Sequence, residues 1–421
     1  MKDTTKHPCF NKETAGSCGR VHLPVAPKCN IQCNYCNRKY DCVNESRPGV
    51  TSSILKPFQA AEYMDAVLEK EPRITVAGIA GPGDPFANPD AVLETMRLLN
   101  KKHPHLLFCL STNGMGILPY LDDIAELGVS HVTITMSAVD PEIGAKIYSW
   151  VQDCNAIHYG IDGAKILLDR QLKAIKGLKE RGIIVKINSI VIPGINDEHI
   201  VEVAKVASEL GADIQNIIPL KPTIDTLFAD IEEPRHNMIT PLRKAAAPYI
   251  NQMTHCKRCR ADAVGLLCND QSASLCGTLQ ACSKRKPQQI EAPRPYVAIS
   301  SREGLLINQH FGESKSFYIW GEDGDGKFNL VEERNVPPKA CGPKRWEELA
   351  LLLNDCRTVL TAAIGDIPKN YLEEHGISSH TVSGFIQDGL KAVYHSDNIE
   401  SLKSRRGGIA GGCQGTGTAC G

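Results

Sequence analysis

The run CNIQCNYC places three cysteines, Cys29, Cys33 and Cys36, within eight residues. Thiolates bind soft metals and iron–sulfur clusters. A four-iron cubane takes four protein ligands, and this run offers three. One iron is then left open, as a catalytic zinc keeps a position open for substrate. An open iron can bind a small molecule and pass it an electron. The competing reading is a zinc knuckle, which favours paired C-x₂₋₄-C units closed by a fourth ligand.

Other residues with chemistry lie scattered along the chain. Gly81-Pro82-Gly83-Asp84-Pro85 reads as a Gly/Pro turn, but its glycines allow close approach and its carboxylate can pair with an ammonium group. Asn113 and Ser137 are polar residues at the ends of expected strands, and Asn188 is a polar residue within one. Cys256 and Cys259 form a C-x₂-C pair, half a metal site when read alone. His22 on its strand reads as a satisfied, partly buried histidine, and Cys109 in LLFCLST as a core cysteine.

The elements that must position these residues alternate. Strands are expected over residues 21–26, 74–80, 106–111, 131–137, 183–192 and 214–220. Helices are expected over 58–69, 90–101, 117–127, 168–181 and 197–210, with a long loop after the fourth strand. Short apolar strands alternating with helices argue for a parallel sheet with crossover helices, an α/β fold of the partial (β/α)₆, TIM-like kind. In such barrels chemistry sits on loops after the strand C-termini. The cysteine run follows strand one, GPGDP follows strand two, and Cys109 and Asn113 end strand three.

A further helix is expected over 241–253. The stretch KRKPQQIEAPRP reads as a linker. The expected division is residues 1–285, a linker over 286–295, a small α/β domain over 296–400 and a glycine-rich tail over 401–421.

The chain has 421 residues, 42% hydrophobic and 23% charged, which suits two globular domains. A formal net charge of −1 gives no electrostatic case for nucleic acid or an anionic membrane. Apolar runs fall far short of the roughly 20 residues a spanning helix needs. The N-terminus MKDTTKHPCFNKE has no apolar signal core, so the expected location is the cytoplasm. There, 17 cysteines do not read as a disulfide framework. Some are buried bystanders, and the clusters among them read as metal ligands.

The spacing C-x₃-C-x₂-C, in a loop after the first strand of a βα repeat, resembles the radical S-adenosylmethionine (SAM) superfamily. The resemblance implies that Cys29, Cys33 and Cys36 hold a [4Fe-4S] cluster whose open iron chelates SAM, and that one electron cleaves SAM to a 5′-deoxyadenosyl radical. It implies that GPGDP stands where the superfamily has a GGEP-like motif, with Asp84 in place of Glu. Gly83 and Asp84 would bind SAM, helped by Tyr35, Asn113, Ser137 and Asn188.

The blocks HPCFN, GRVHLPVAPKCNIQCNYCNRKYDCVNESRPG, AGPGDPFANP, IPGIND and HCKRCRADAVG resemble the NifB family of nitrogenase-cofactor maturases. The stretch INQHFGES resembles the NifX/NafY type of cofactor-binding domain, which implies a ribonuclease H-like fold. The implied reaction fuses two four-iron clusters around a carbide taken from SAM, giving the eight-iron precursor of the nitrogenase cofactor. Two further [4Fe-4S] substrate clusters then need ligands: His22, Cys42 and Cys109 for one, and Cys18, Cys256 and Cys259 for the other. Glu45 and Arg47 would position SAM or shuttle protons, or form an ion pair on a loop. Cys154, in the long loop after strand four, is a transient ligand or a bystander. The implied partners are iron–sulfur cluster donors and downstream cofactor carriers, with the chain itself a monomer. Two other readings compete: a cluster scaffold without SAM turnover, and a radical SAM enzyme of the molybdopterin-synthesis type, which would not need His22, Cys42 or HPCFN.

Overall fold

The computed structural model describes residues 3–44, 49–154, 156–285, 294–336, 344–395 and 399–402. Glu45, Arg47, Cys413, Cys420, most of the expected linker and nearly all of the tail lie outside them. The chain divides into two compact units, residues 1–285 and 286–421.

The first unit is built on a sheet whose central strands are β1 (Gly19–His22), β3 (Ile74–Ile79), β4 (Leu107–Thr112), β5 (Val129–Thr135), β8 (Ile184–Val191) and β9 (Ile214–Pro219). Every neighbouring pair among these is parallel, in the order β1-β3-β4-β5-β8-β9. Sequences such as ITVAGI of β3 are nearly continuous in apolar residues because helices cover such strands from outside. The crossovers include α1 (Pro57–Lys70), α2 (Pro89–Lys102), α3 (Leu121–Glu126), α5 (Gly160–Glu180) and α6 (Ile200–Glu209). The α1 helix buries Ala60, Tyr63, Met64 and Val67, spaced by three and four residues, and starts with a proline whose missing N–H has no partner to lose. Phe108, Leu110, Val132, Ile134, Val185 and Ile187 are buried in one core with Met64 and Met96.

Several elements depart from the sequence expectation. The long loop after β5 is structured: it carries α4 (Pro141–Ile147) and the hairpin β6 (Tyr148–Asp153) and β7 (Ala156–Tyr159). These elements are too short for their periodicity to stand out. The glycines of GIDGAK also hide the start of α5, which begins eight residues before the expected 168. The cysteine run is partly a strand, β2 (Ile31–Cys33), which pairs antiparallel with β6, Ile31 opposite Val151 and Cys33 opposite Tyr148. The helix expected over 241–253 is α7 (His236–Ala246), with Pro241 inside it. After it, β10 (Val264–Leu266) and β11 (Asn269–Asp270) extend the sheet antiparallel beyond β1, and α8 (Ser272–Ser283) packs on α1.

The second unit has a five-stranded sheet ordered β15-β14-β12-β16-β17. Its strands are β12 (Tyr296–Ile299), β14 (Ser316–Glu322), β15 (Phe328–Asn335), β16 (Cys356–Thr361) and β17 (Ser378–Thr381). Two antiparallel pairings lead from β12 to β15, and two parallel ones from β12 to β17. That arrangement, with helices α9 (Lys344–Leu352), α10 (Asp366–Glu374) and α11 (Ile386–Tyr394), is ribonuclease H-like. The small pair β13 (Leu306–Ile307) and β18 (Gly384–Phe385) completes the unit. No helix among the described residues is long and apolar enough to cross a membrane.

Candidate functional site

Two thiol-lined cavities lie in the first unit, the smaller at the C-terminal ends of the barrel strands and the larger beside residues midway along them. The smaller is lined by Cys29, Cys33 and Cys36 together with Cys42, Gly83 and Asp84. The cysteine turn is drawn tight by Cys36 N–H donating to the Cys33 carbonyl (3.0 Å) and by Gln32 Nε2 donating to the carbonyls of Cys33 and Cys36 (3.0 and 2.6 Å). GPGDP is packed against the chain entering this turn. Gly83 N–H donates to the Ala26 carbonyl (2.6 Å), and Asp84 N–H to that of Lys28 (2.8 Å). A Cβ on Gly83 would stand 2.1 Å from the Lys28 oxygen, so only glycine fits.

Asp84 lines this cavity, but its carboxylate also organises the protein. It accepts from Phe86 N–H (2.9 Å), from Thr112 Oγ1 (3.0 and 2.9 Å) and from Asn113 N–H (2.6 Å). Asn113 Nδ2 in turn lies 3.7 Å from Cys29 Sγ and donates to Asn30 Oδ1 at 2.7 Å. Asp84 thereby fixes the end of β4 against the first cysteine.

Burial pushes the thiols of this cavity up, Cys29 to about 11, with Cys33, Cys36 and Cys42 also raised. Asp84 and Cys36 push Cys29 further, while the Arg38 guanidinium pulls the other way at Cys29 and Cys36. Desolvated thiols that face one another hold their charge only beside a cation, and the irons of a cluster are such a centre. The donor set fits a [4Fe-4S] cluster held by Cys29, Cys33 and Cys36.

The larger cavity is lined by His22, Cys109, Cys256 and Cys259, with Cys9 and Arg20. The sheet register explains the first pair. His22 stands opposite Gly78, and Gly78 opposite Cys109, so the two side chains lie in one row with a strand between them, roughly 10 Å apart. Gly78 leaves the intervening space clear, since a Cβ there would approach His22 Cδ2 to 3.2 Å. His22 Nδ1 lies 2.9 Å from the Arg260 carbonyl, which accepts only if Nδ1 carries the proton. Burial, and then the Arg20 charge, push His22 down to about 4, so the ring is neutral and Nε2 keeps its lone pair. Asn188 also lines this cavity, donating from Nδ2 to the Asn44 carbonyl at 3.2 Å. Ser111, on β4, lines both cavities.

Sequence reasoning missed Cys9. His255 Nε2 lies 3.0 Å from the Pro8 carbonyl and ties the N-terminal segment to the loop carrying Cys256 and Cys259. Burial, and then the neighbouring Cys259, push the Cys9 thiol up to about 12, and both cysteines line this cavity. The signal was present in the block HPCFN, which contains Cys9. Arg20 was missed too, although it stands two residues before His22 and therefore on the same strand face.

The structure also places five other candidates, Cys18, Cys42, Cys154, Ser137 and Tyr35. Cys18 lines neither cavity: its N–H donates to the Thr14 carbonyl (2.8 Å) in an N-terminal turn just before β1. Cys42 shares the smaller cavity with the SAM-type cysteines and does not line the larger one with His22 and Cys109. Cys154 is exposed at the β6–β7 hairpin and lines an outer groove with Cys29. Ser137 and Tyr35 are buried supports. The Ser137 hydroxyl accepts from Ile190 N–H (3.0 Å), and the Tyr35 hydroxyl donates to Asn44 Oδ1 (2.6 Å).

Residues 23–207 match the family described as the Radical SAM superfamily, and residues 294–396 the family described as Dinitrogenase iron-molybdenum cofactor. The first unit is therefore a radical SAM barrel, and the second is of the NifX-like type. FeMo cofactor biosynthesis protein NifB of Chlorobaculum tepidum is 46% identical over 417 residues, 98% of each chain. The proteins of that name from Azotobacter vinelandii and Klebsiella pneumoniae are 37% and 38% identical, covering 94% and 88% of this chain and 88% and 86% of their own. The chain belongs to the NifB family of FeMo cofactor biosynthesis proteins.

Proposed function

We propose that this protein inserts a SAM-derived carbide while fusing two [4Fe-4S] clusters into the eight-iron precursor of the nitrogenase cofactor. The observation that carries the reading is the pair of thiol-lined cavities meeting at Ser111: one suited to the SAM cluster, the other rich in unused donors. Cys29, Cys33 and Cys36 hold the resident cluster. When bound, that cluster and SAM supply one-electron cleavage of SAM and a carbon-centred radical.

The residues of the chain do the positioning. Gly83 and Asp84 hold the cysteine turn and the end of β4 in place, and Asn113 braces Cys29. His22 and Cys109 hold one substrate cluster, with Cys42 as its donor from the SAM side. Cys9, Cys256 and Cys259 hold the other. Three donors per substrate cluster leave one iron of each without a protein ligand, which suits clusters that must join and depart.

In the chemistry supported by the resemblance, a methyl group passes from one SAM to a cluster sulfide, releasing S-adenosylhomocysteine. One-electron cleavage of a second SAM would release methionine and a 5′-deoxyadenosyl radical, and that radical would take a hydrogen from the methyl and leave as 5′-deoxyadenosine. Partners that deliver four-iron clusters and carriers that take the eight-iron product complete the role, with the second unit a candidate holding site for product.

The test is anaerobic reconstitution with iron and sulfide, followed by SAM and dithionite. Both S-adenosylhomocysteine and 5′-deoxyadenosine are expected. Absence of both would leave a scaffold, and 5′-deoxyadenosine alone would remove the methyl-transfer step.

A further inference from the structure

Arg20 is 2% exposed, and its guanidinium faces a sulfur. Its Nε and Nη2 lie 3.3 and 3.1 Å from Cys259 Sγ. The rest of the fork is pinned elsewhere: Nη1 donates to the Gly265 carbonyl at 2.5 Å, and Nη2 also reaches Asp270 Oδ2 at 3.2 Å. The sheet sets this geometry. β10 pairs antiparallel with β1, placing Arg20 opposite Gly265, and the β10–β11 turn brings Asp270 to the far side of the guanidinium. A planar, always-charged group with five fixed donors is thus clamped between a short β-ribbon and one thiol.

The clamp treats the two cysteines of the C-x₂-C pair differently. Cys256 Sγ accepts from the neutral Arg258 N–H at 3.5 Å. Cys259 Sγ accepts from two charged donors at shorter range. Charge-assisted bonds are the stronger kind and draw electron density from the acceptor. Hydrogen bonds to ligating sulfurs are among the factors that set the reduction potential of an iron–sulfur cluster, and partners behind a ligand fix its orientation. A burial of this kind is tolerated when anions meet the guanidinium, and Asp270 meets it at a single nitrogen.

We propose that Arg20 is a positioning residue for the second substrate cluster: it aims the Cys259 sulfur into the cavity and raises the potential of the cluster bound there. The proposal rests on Cys259 being a ligand to that cluster, as read above. Because the clamp is made by the sheet, the sulfur stays aimed after product leaves, and the site is ready to be loaded again. The same β1 strand supplies His22 to the other cluster, two residues on and on the same face, so one strand serves both substrates.

The experiment uses the full chain reconstituted anaerobically with iron and sulfide, without SAM. Wild type, Arg20→Gln, Arg20→Lys, Asp270→Asn and Cys259→Ser are compared by iron content, by EPR-monitored redox titration and by the rate at which a chelator strips iron. Cys259→Ser identifies which signal belongs to the cluster in question. Arg20→Gln is expected to lower that cluster's potential and to weaken its iron retention about 10- to 100-fold, leaving the signal of the Cys29–Cys36 cluster unchanged. Arg20→Lys keeps a charge without the fork and should fall between; if Arg20→Gln does not fold, Arg20→Lys decides. Asp270→Asn should keep the wild-type potential.

If wild type shows no signal that depends on Cys259, the ligand reading falls and the proposal with it. If that signal is present and its potential is unmoved in the Arg20 variants, Arg20 is structural and the proposal alone is overturned. Weaker retention at an unchanged potential overturns it equally.

Discussion

His22 Nδ1 lies 2.9 Å from the main-chain oxygen of Arg260, across 238 residues of sequence. This contact fixes the imidazole tautomer and turns Nε2 toward the cavity that His22 shares with Cys109. It also ties β1 to the loop that carries Cys256 and Cys259. Arg258 secures the same loop from another side, donating to the carbonyls of Pro219 and Val43 (both 3.1 Å). A loop distant in sequence is thereby made one wall of the site.

Replacing His22 removes the nitrogen donor without touching the cysteine turn. His22→Ala is expected to lose about four irons per chain, one cubane's worth, while the EPR signal of the SAM cluster persists. SAM cleavage should continue uncoupled from carbide chemistry. Iron counting joined to EPR checks this, and an unchanged iron content would remove His22 from the ligand set.

Gly83→Ala places a Cβ 2.1 Å from the Lys28 oxygen, where backbone must shift. The expected cost is about 1–3 kcal/mol, measured as a lower unfolding midpoint of the apo chain. The shift falls one residue before Cys29, so cluster incorporation at the cysteine turn should fall as well.

Asp84→Ala leaves the Thr112 hydroxyl and the N–H groups of Phe86 and Asn113 without their acceptor. Each buried donor left unpaired costs roughly 1–3 kcal/mol. A destabilised apo protein is expected, with SAM binding weakened through Asn113 and Cys29. Asp84→Asn keeps one acceptor oxygen and should lose less by denaturant titration.

Cys154→Ser should keep wild-type iron content and SAM cleavage, because Cys154 is exposed and lines neither thiol cavity. A loss of turnover in that variant would bring the hairpin back into the chemistry.

In the second unit Arg334 donates to both oxygens of Asp355 at 2.7 Å and holds its carboxyl below the ordinary value. The folded carboxyl binds its proton less readily than the unfolded one. The resulting stability is therefore present above the unfolded pKa of about 3.9 and is lost as pH falls through the folded value. The pair is partly exposed, so its worth is about 1 kcal/mol. Asp355→Asn should lower the stability of this unit at neutral pH and flatten its loss below about pH 4. Trp320 and Trp346 fluorescence against denaturant would report it.

The residues that make this a radical SAM protein of the NifB family are legible without coordinates, because they are local. Three thiols within eight residues, the GPGDP turn and the strand–helix alternation are properties of short stretches of chain. The expected strands over 74–80 and 214–220 are Ile74–Ile79 and Ile214–Pro219 for the same reason: a strand buried on both faces is written in its own apolar run. What was not legible depends on contacts between distant segments. Cys9 rather than Cys18 reaches the larger cavity because His255 bonds to the Pro8 carbonyl, and Cys42 joins the smaller cavity through the path of its loop. The strand in the cysteine run exists only because β6 pairs with it. The Arg20 fork reaches Cys259 across 239 residues, through a β-ribbon whose strands are three and two residues long. Spacing in sequence can propose which atoms are ligands. Which of them face the same cavity is decided by register and by loop closure, and those are set by the whole fold.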